Sequence, residues 1–245
     1  MMPPPLSSLP VTLKRSHRMT LEAIGVSSTI IGLDVADMRE LLAKAIHRGD
    51  VCITAMEDRL RLFRSAWSVV DRLYYVERAL RKEPQAAMLV SEDLRGHFDT
   101  ACAMRNGMDH PERTAQVAAK AKAYPLFGLI SYAHLNPHDL SPEKTTPDAY
   151  NITILSTSTS HQAWSVDLDH LKYGTIGLGG AGLRLHAFDE VLDLAAAATA
   201  LDGYCRALDG MLDRQFPGAA AMAPDRFGAD QMTFHVTATP LGAPP

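Results

Sequence analysis

The segment Met104-Arg105-Asn106-Gly107-Met108-Asp109-His110 places a permanent cation and an imidazole that titrates near neutrality five residues apart, with an amide side chain directly after the cation. Such a pair can bind and cleave a phosphodiester. Spacing of this kind also arises by chance, so its weight depends on the element that carries it. Arg105 falls at the end of an apolar stripe, where an unpaired charge would cost several kcal/mol, so it requires an anion partner. Asp71, Glu77, Asp109 or a bound phosphate could serve.

Three other constellations are weaker. Gly177-Leu178-Gly179-Gly180-Ala181-Gly182 satisfies the dinucleotide fingerprint formally, but that motif works only where a strand passes through the glycines into a helix N-terminus. The alternating Leu183-Arg184-Leu185 that follows favours a hairpin turn. Asp109, His110, His134, His138 and Asp139 have ligand chemistry for zinc or manganese, yet Pro137 spoils the helical platform that a His134/His138 pair would need. The run Tyr124-Pro125-Leu126-Phe127-Gly128-Leu129-Ile130 reads as core packing, with a partner contact as the alternative. There is no G-x-S-x-G elbow, P-loop or H-E-x-x-H motif.

The elements that must position Arg105 and His110 are mainly helical. Asp34 is an N-cap candidate for a first helix carrying Val35, Met38, Leu41, Leu42 and Ala45 and ending at Gly49. From Val51 to about Lys82, the residues Ile53, Met56, Leu60, Phe63, Trp67, Val70 and Tyr74 recur at alternating steps of three and four, which predicts a long packed helix that Glu83-Pro84 stops. A third helix runs from the Ser91 cap, through Glu92 and Asp93 in its first turn, to about Arg105. It ends at Asn106-Gly107 or continues to His110, and its inward positions are Leu94, Phe98, Ala101 and Cys102. The period then changes to two, with short antiparallel strands expected at Asn151 to Leu155, Trp164 to Leu168, Tyr173 to Ile176 and Leu183 to Leu185. A last helix is predicted over Phe188 to Phe216 with Asp189 as cap, and an edge strand over Gln231 to Thr237.

The resulting fold class is α+β: an antiparallel helical bundle with an inserted small antiparallel sheet at about 150–186. Residues 1–33 read as an N-terminal arm with a basic cluster at Lys14, Arg15 and Arg18, 34–216 as one domain, and 217–245 as a C-terminal segment. A net charge of −4 gives no global footprint for nucleic acid, so any phosphate contact must be local. Three scattered cysteines (Cys52, Cys102, Cys205) suggest free thiols in a reducing, cytoplasmic setting. The start lacks the pattern of a secretory signal, and no run of eighteen apolar residues suggests a spanning helix, so no membrane association is expected.

Long amphipathic helices followed by Arg105-Asn106-Gly107-Met108-Asp109-His110 resemble the HEPN superfamily, helical bundles whose signature is an Arg, a polar residue and a following His. The resemblance covers residues 34 to 110 and 188 to 216. It implies a homodimer acting on RNA, with Arg105 on the scissile phosphate, Asn106 orienting, and His110 as acid or base for the ribose 2′-hydroxyl or the leaving oxygen. No metal or cofactor would be needed. Many HEPN domains are non-catalytic, and the alternative is a module that binds a protein partner or dimerises. Engagement of Arg105 by Asp71 or Glu77 would favour that alternative.

Overall fold

The computed structural model describes residues 6, 9–10, 12–47, 55–110, 112, 127–134, 151–156 and 181–216. The elements are α1 (Arg15–His47), α2 (Met56–Leu80), the single turn α3 (Pro84–Ala87), α4 (Glu92–Asp109), β1 (Leu129–His134), β2 (Asn151–Ser156), β3 (Ala181–Ala187), β4 (Glu190–Asp193) and α5 (Leu194–Gln215). The architecture is α+β, mostly helical, with a small antiparallel sheet between α4 and α5. The predicted strands around Trp164 and Tyr173, the edge strand at Gln231 to Thr237, and Cys52 lie outside the described residues.

Helix α1 begins at Arg15, not near Asp34, so much of the expected arm is helix. The reason is a stripe that starts early. Leu21, Ile24, Ser28, Ile31, Val35, Met38, Leu42 and Ala45 recur at steps of three and four and are all buried, where α1 packs on α2 and α5. Ser28 breaks the apolar count but not the packing, because it hydrogen-bonds the Cys205 thiol of α5. Ahead of α1, Leu6 and Leu9 are also buried, and the Leu6 amide donates to both carboxylate oxygens of Asp209 on α5 at 2.9 and 3.0 Å. By length and composition, the Arg15–Ala45 stretch is apolar enough to cross a membrane, contrary to the expectation that no segment is. Of that apolar window, 39% is buried in the fold.

Helix α2 forms as expected, but its buried seam is Leu62, Ala66, Val69, Leu73, Val76 and Leu80, one residue away from the predicted stripe. Met56 and Leu60 are exposed, and among the described residues of the predicted set only Phe63 and Val70 are buried, Ile53 lying outside them. Two adjacent stripes of similar period share this helix, and the larger aromatics mark the outer one. In α4 the Ser91 hydroxyl accepts from the Leu94 amide at 3.2 Å, as a cap should. The helix does not stop at Gly107 but continues to Asp109, burying Leu94, Phe98, Ala101 and Met104.

The sheet order is β2-β1-β3-β4, all antiparallel. It extends beyond the predicted 150–186 span, because Leu129–His134 supplies the central β1 and Glu190–Asp193 supplies β4. The latter was expected to be helical. Pairing of Leu192 with Leu185 and of Val191 with His186 holds it extended, and α5 starts only after Asp193, whose carboxylate accepts from the Ala196 amide at 2.9 Å. Ile130, Tyr132, Leu183, Leu185, Ala187 and Leu192 join the helical core, while Leu129, Ser131, Arg184 and His186 alternate to the opposite face. Gly128, with φ of +80°, opens β1 so close to β3 that a Cβ there would lie 2.3 Å from the His186 carbonyl oxygen.

The β3–β4 turn ties the sheet to the helices. Phe188 and Asp189 both have positive φ (54° and 65°), the combination a two-residue hairpin of matching twist requires. A left-handed Phe is strained by roughly 1–3 kcal/mol, so its ring must be well held. It lies over Gly107 of α4 and packs against Trp67 of α2, with ring centroids 6.0 Å apart. A Cβ on residue 107 would sit 2.6 Å from two ring carbons of Phe188. Gly107→Ala should therefore lower stability by about 1–3 kcal/mol even though Ala is the better helix former by about 1 kcal/mol. Urea unfolding of Gly107→Ala, Phe188→Leu and the double variant checks this: the Gly107→Ala loss should shrink when the ring is shortened, and an unchanged loss would contradict the packing account.

Candidate functional site

Arg105 sits on the last full turn of α4 facing α2. Its side chain is two-thirds covered, its Nε lies 2.9 Å from Asp71 Oδ1 on α2, and its Nη1 pairs with Asp109 Oδ1 one helical turn further on. Two of the three carboxylates proposed from the sequence are thus its partners. The third, Glu77, pairs instead with Arg81 and accepts from the Cys102 thiol at 3.9 Å. Burial, then the nearby Glu77 charge, raises the Cys102 thiol above its ordinary range.

The other two predicted residues are both exposed at the end of α4. Asn106 is exposed on the neighbouring helix face. His110 is the exposed C-cap residue, with φ −128° and ψ 61°. Gly107, between them, is a packing socket for Phe188. Two carboxylates against one guanidinium leave the cluster with a net charge of about −1, the wrong sign for a phosphate. Arg95 is exposed further up α4, and Arg113 lies outside the described residues.

Among the described residues, no group of three or more His, Cys, Asp or Glu side chains is placed to hold a metal ion. His138 and Asp139 lie outside them, as does the side chain of His134. The glycine-rich run leads into strand β3, not into a helix, so its described end lacks the geometry that cradles a pyrophosphate.

A second pair was not legible in the sequence. Ser131 of β1 and His186 of β3 share a hydrogen bond of 2.6 Å between Oγ and Nε2 on the sheet face away from the helical core. Fifty-five residues separate them, and only the β1–β3 register brings them together. Arg184, which pairs with Asp193 at 3.7 Å, is on the same face. A hydroxyl beside an imidazole is the start of a nucleophile and base, but Ser131 is 3% and His186 2% exposed, which closes the hydroxyl to a substrate. Burial, with a smaller contribution from the Arg184 charge, pushes His186 down to about 4. On α5, burial pushes the Cys205 thiol up to about 12, so it remains an unreactive neutral thiol.

Comparison of the chain with protein-family models, with curated proteins and with solved structures finds no match.

The His186 imidazole is neutral in the fold down to about pH 4, whereas in the unfolded chain it takes a proton near pH 6.5. The unfolded state therefore binds more protons between these values, and this residue's contribution to stability is lost as pH falls through that window. The full difference is up to about 3 kcal/mol. Chemical denaturation at pH 7 and pH 4.5 should show a smaller acid loss in His186→Gln than in the wild type; equal losses would mean that this imidazole is not held neutral.

Proposed function

We propose that the chain is a non-catalytic interaction module, a helical bundle with a sheet, that acts by associating with protein. The observation that carries this reading is the engagement of Arg105 by Asp71 and Asp109. A guanidinium intended for a scissile phosphate would have to exchange two carboxylates for its ligand, against a local negative charge. The buried Ser131–His186 pair offers no route to substrate and acts as an internal tie between β1 and β3.

The HEPN-like reading, a homodimer that binds or cuts RNA through Arg105, Asn106 and His110, stands second. It is favoured by the continuity of α4 through Gly107, which keeps the whole Arg-polar-His segment at the end of one helix. A second copy could then bring the two groups together across an interface. The two readings separate cleanly in solution.

Incubation of the full chain with single-stranded and hairpin RNA should give cleavage no faster than background, identical for wild type, Arg105→Ala and His110→Ala. Arg105→Ala should cost only about 1 kcal/mol in thermal unfolding, because both ion pairs are largely solvent-screened. RNA cleavage that is abolished in both variants, while the fold persists by circular dichroism, would overturn the interaction reading and establish the nuclease.

A further inference from the structure

Helix α1 has two apolar stripes, of which the core uses one. Directly opposite the buried seam lie Met19, Val26 and Leu33, one heptad apart and 57%, 57% and 62% exposed. Large apolar side chains scattered singly on a surface are ordinary, but these three repeat at heptad spacing along one line of the helix, flanked between Met19 and Val26 by the exposed Glu22. The strip is bounded by charge of opposite sign: Arg15 lies one turn before Met19, and Asp37 one turn after Leu33.

That order is unfavourable for an isolated helix. The N-terminal end of α1 carries Lys14, Arg15 and Arg18 with no acidic residue in its first turn, whereas the macrodipole favours acids there. Arg18 is answered within the helix by Glu22 at 4.0 Å, but local stability does not account for Arg15 at the N-terminal end. The order is instead self-complementary. Residue numbers of facing positions in an antiparallel helix pair have a constant sum, and a twofold through Val26 sets Met19 against Leu33 and Arg15 against Asp37. Each pairing occurs twice, as an isologous interface requires.

We infer that the outer face of α1 is a dimer surface on which α1 of a second copy of this chain lies antiparallel about a twofold through Val26. This inference rests on reading the chain as an interaction module and names the partner. The overlap from Arg15 to Asp37 is about 33 Å at 1.5 Å per residue. A single helix pair of that length falls at the small end of interface sizes, so the dimer should be weak and concentration-dependent. Its terminal ion pairs are rim-exposed, so they set the register and weaken in salt.

Sedimentation of the full chain over a concentration series tests the proposal. The wild type should pass from monomer to dimer as concentration rises, and Val26→Asp, which places two carboxylates face to face at the twofold, should weaken association by about tenfold or more. Val26 is exposed, so circular dichroism should show an unchanged fold. Arg15→Asp alone should weaken the dimer, and Arg15→Asp combined with Asp37→Arg should restore it, which only the antiparallel register allows. A wild type that stays monomeric, a dimer indifferent to Val26→Asp, or a failed rescue would each overturn the inference. A monomer that co-sediments with phosphatidylcholine–phosphatidylserine vesicles through Val26 would also overturn it, in favour of a lipid surface. These outcomes are independent of the RNA assay: a nuclease could still dimerise here, and an interaction module could fail to.

Discussion

The seating of the Phe188 ring on Gly107 is the constraint on which the relation of sheet to helices depends. Three elements meet at that ring: the β3–β4 turn, which holds Phe188 in a left-handed conformation, α4, which leaves out a side chain beneath it, and α2, which lays Trp67 against it. Trp67 extends the same tie to the strand beyond, because its indole nitrogen donates to the Phe127 carbonyl at 3.1 Å, immediately before Gly128 opens β1. The cost of the turn is local and the gain is distributed. A hairpin fixed at its tip on two helices has its register determined, and that register places Ser131 beside His186 and Leu192 in the core.

The same contact explains why the most suggestive segment of the sequence is ambiguous. Gly107 looks like a helix terminator because glycine usually weakens a helix. Here the loss in helix propensity is offset by packing that no other residue permits, and α4 continues for two more residues. The carbonyls at the end of α4 favour a cation, yet Asp109 occupies that turn. Arg105, four residues earlier, answers that charge and reaches across to Asp71.

What could be read from the sequence was local. The Ser91 cap, the acids after it and the apolar spacing of α4 are decided within a few residues, and the helix starts where they predict. Helix α2 was legible as a helix but not in its buried face, because Phe63, Trp67, Val70 and Tyr74 repeat as regularly as Leu62, Ala66, Val69 and Leu73. The early start of α1 was hidden by Gly25, Ser27 and Ser28, small residues that dilute the apolar signal while allowing close approach to α5. Strand β4 was read as helix because Val191 and Leu192 continue the spacing of α5, and only pairing with β3 makes them extended. The site divides in the same way: Arg105 needed an anion on local grounds, but which acid supplied it depended on the α2–α4 packing.

The electrostatics of Arg105 bear on what any anion would meet. An arginine N-terminal to an aspartate at i, i+4 is the weaker orientation of such a pair, so the Arg105–Asp109 contact adds little to α4 by itself. Asp71 makes the difference, because it joins the last turn of α4 to the middle of α2 and fixes the guanidinium plane. Both carboxylates are substantially exposed, so each pair contributes at most about 1 kcal/mol to stability. Their effect on ligand choice is larger than their effect on stability. An incoming phosphate loses the attraction of the cation to competition from two acids that are already in place and tethered, whereas an arginine or lysine from a protein surface would find Asp71 and Asp109 partly solvated and accessible. For the proposed association role, the end of α4 therefore offers two partly solvated acids already paired with a cation, and not a phosphate-binding cradle.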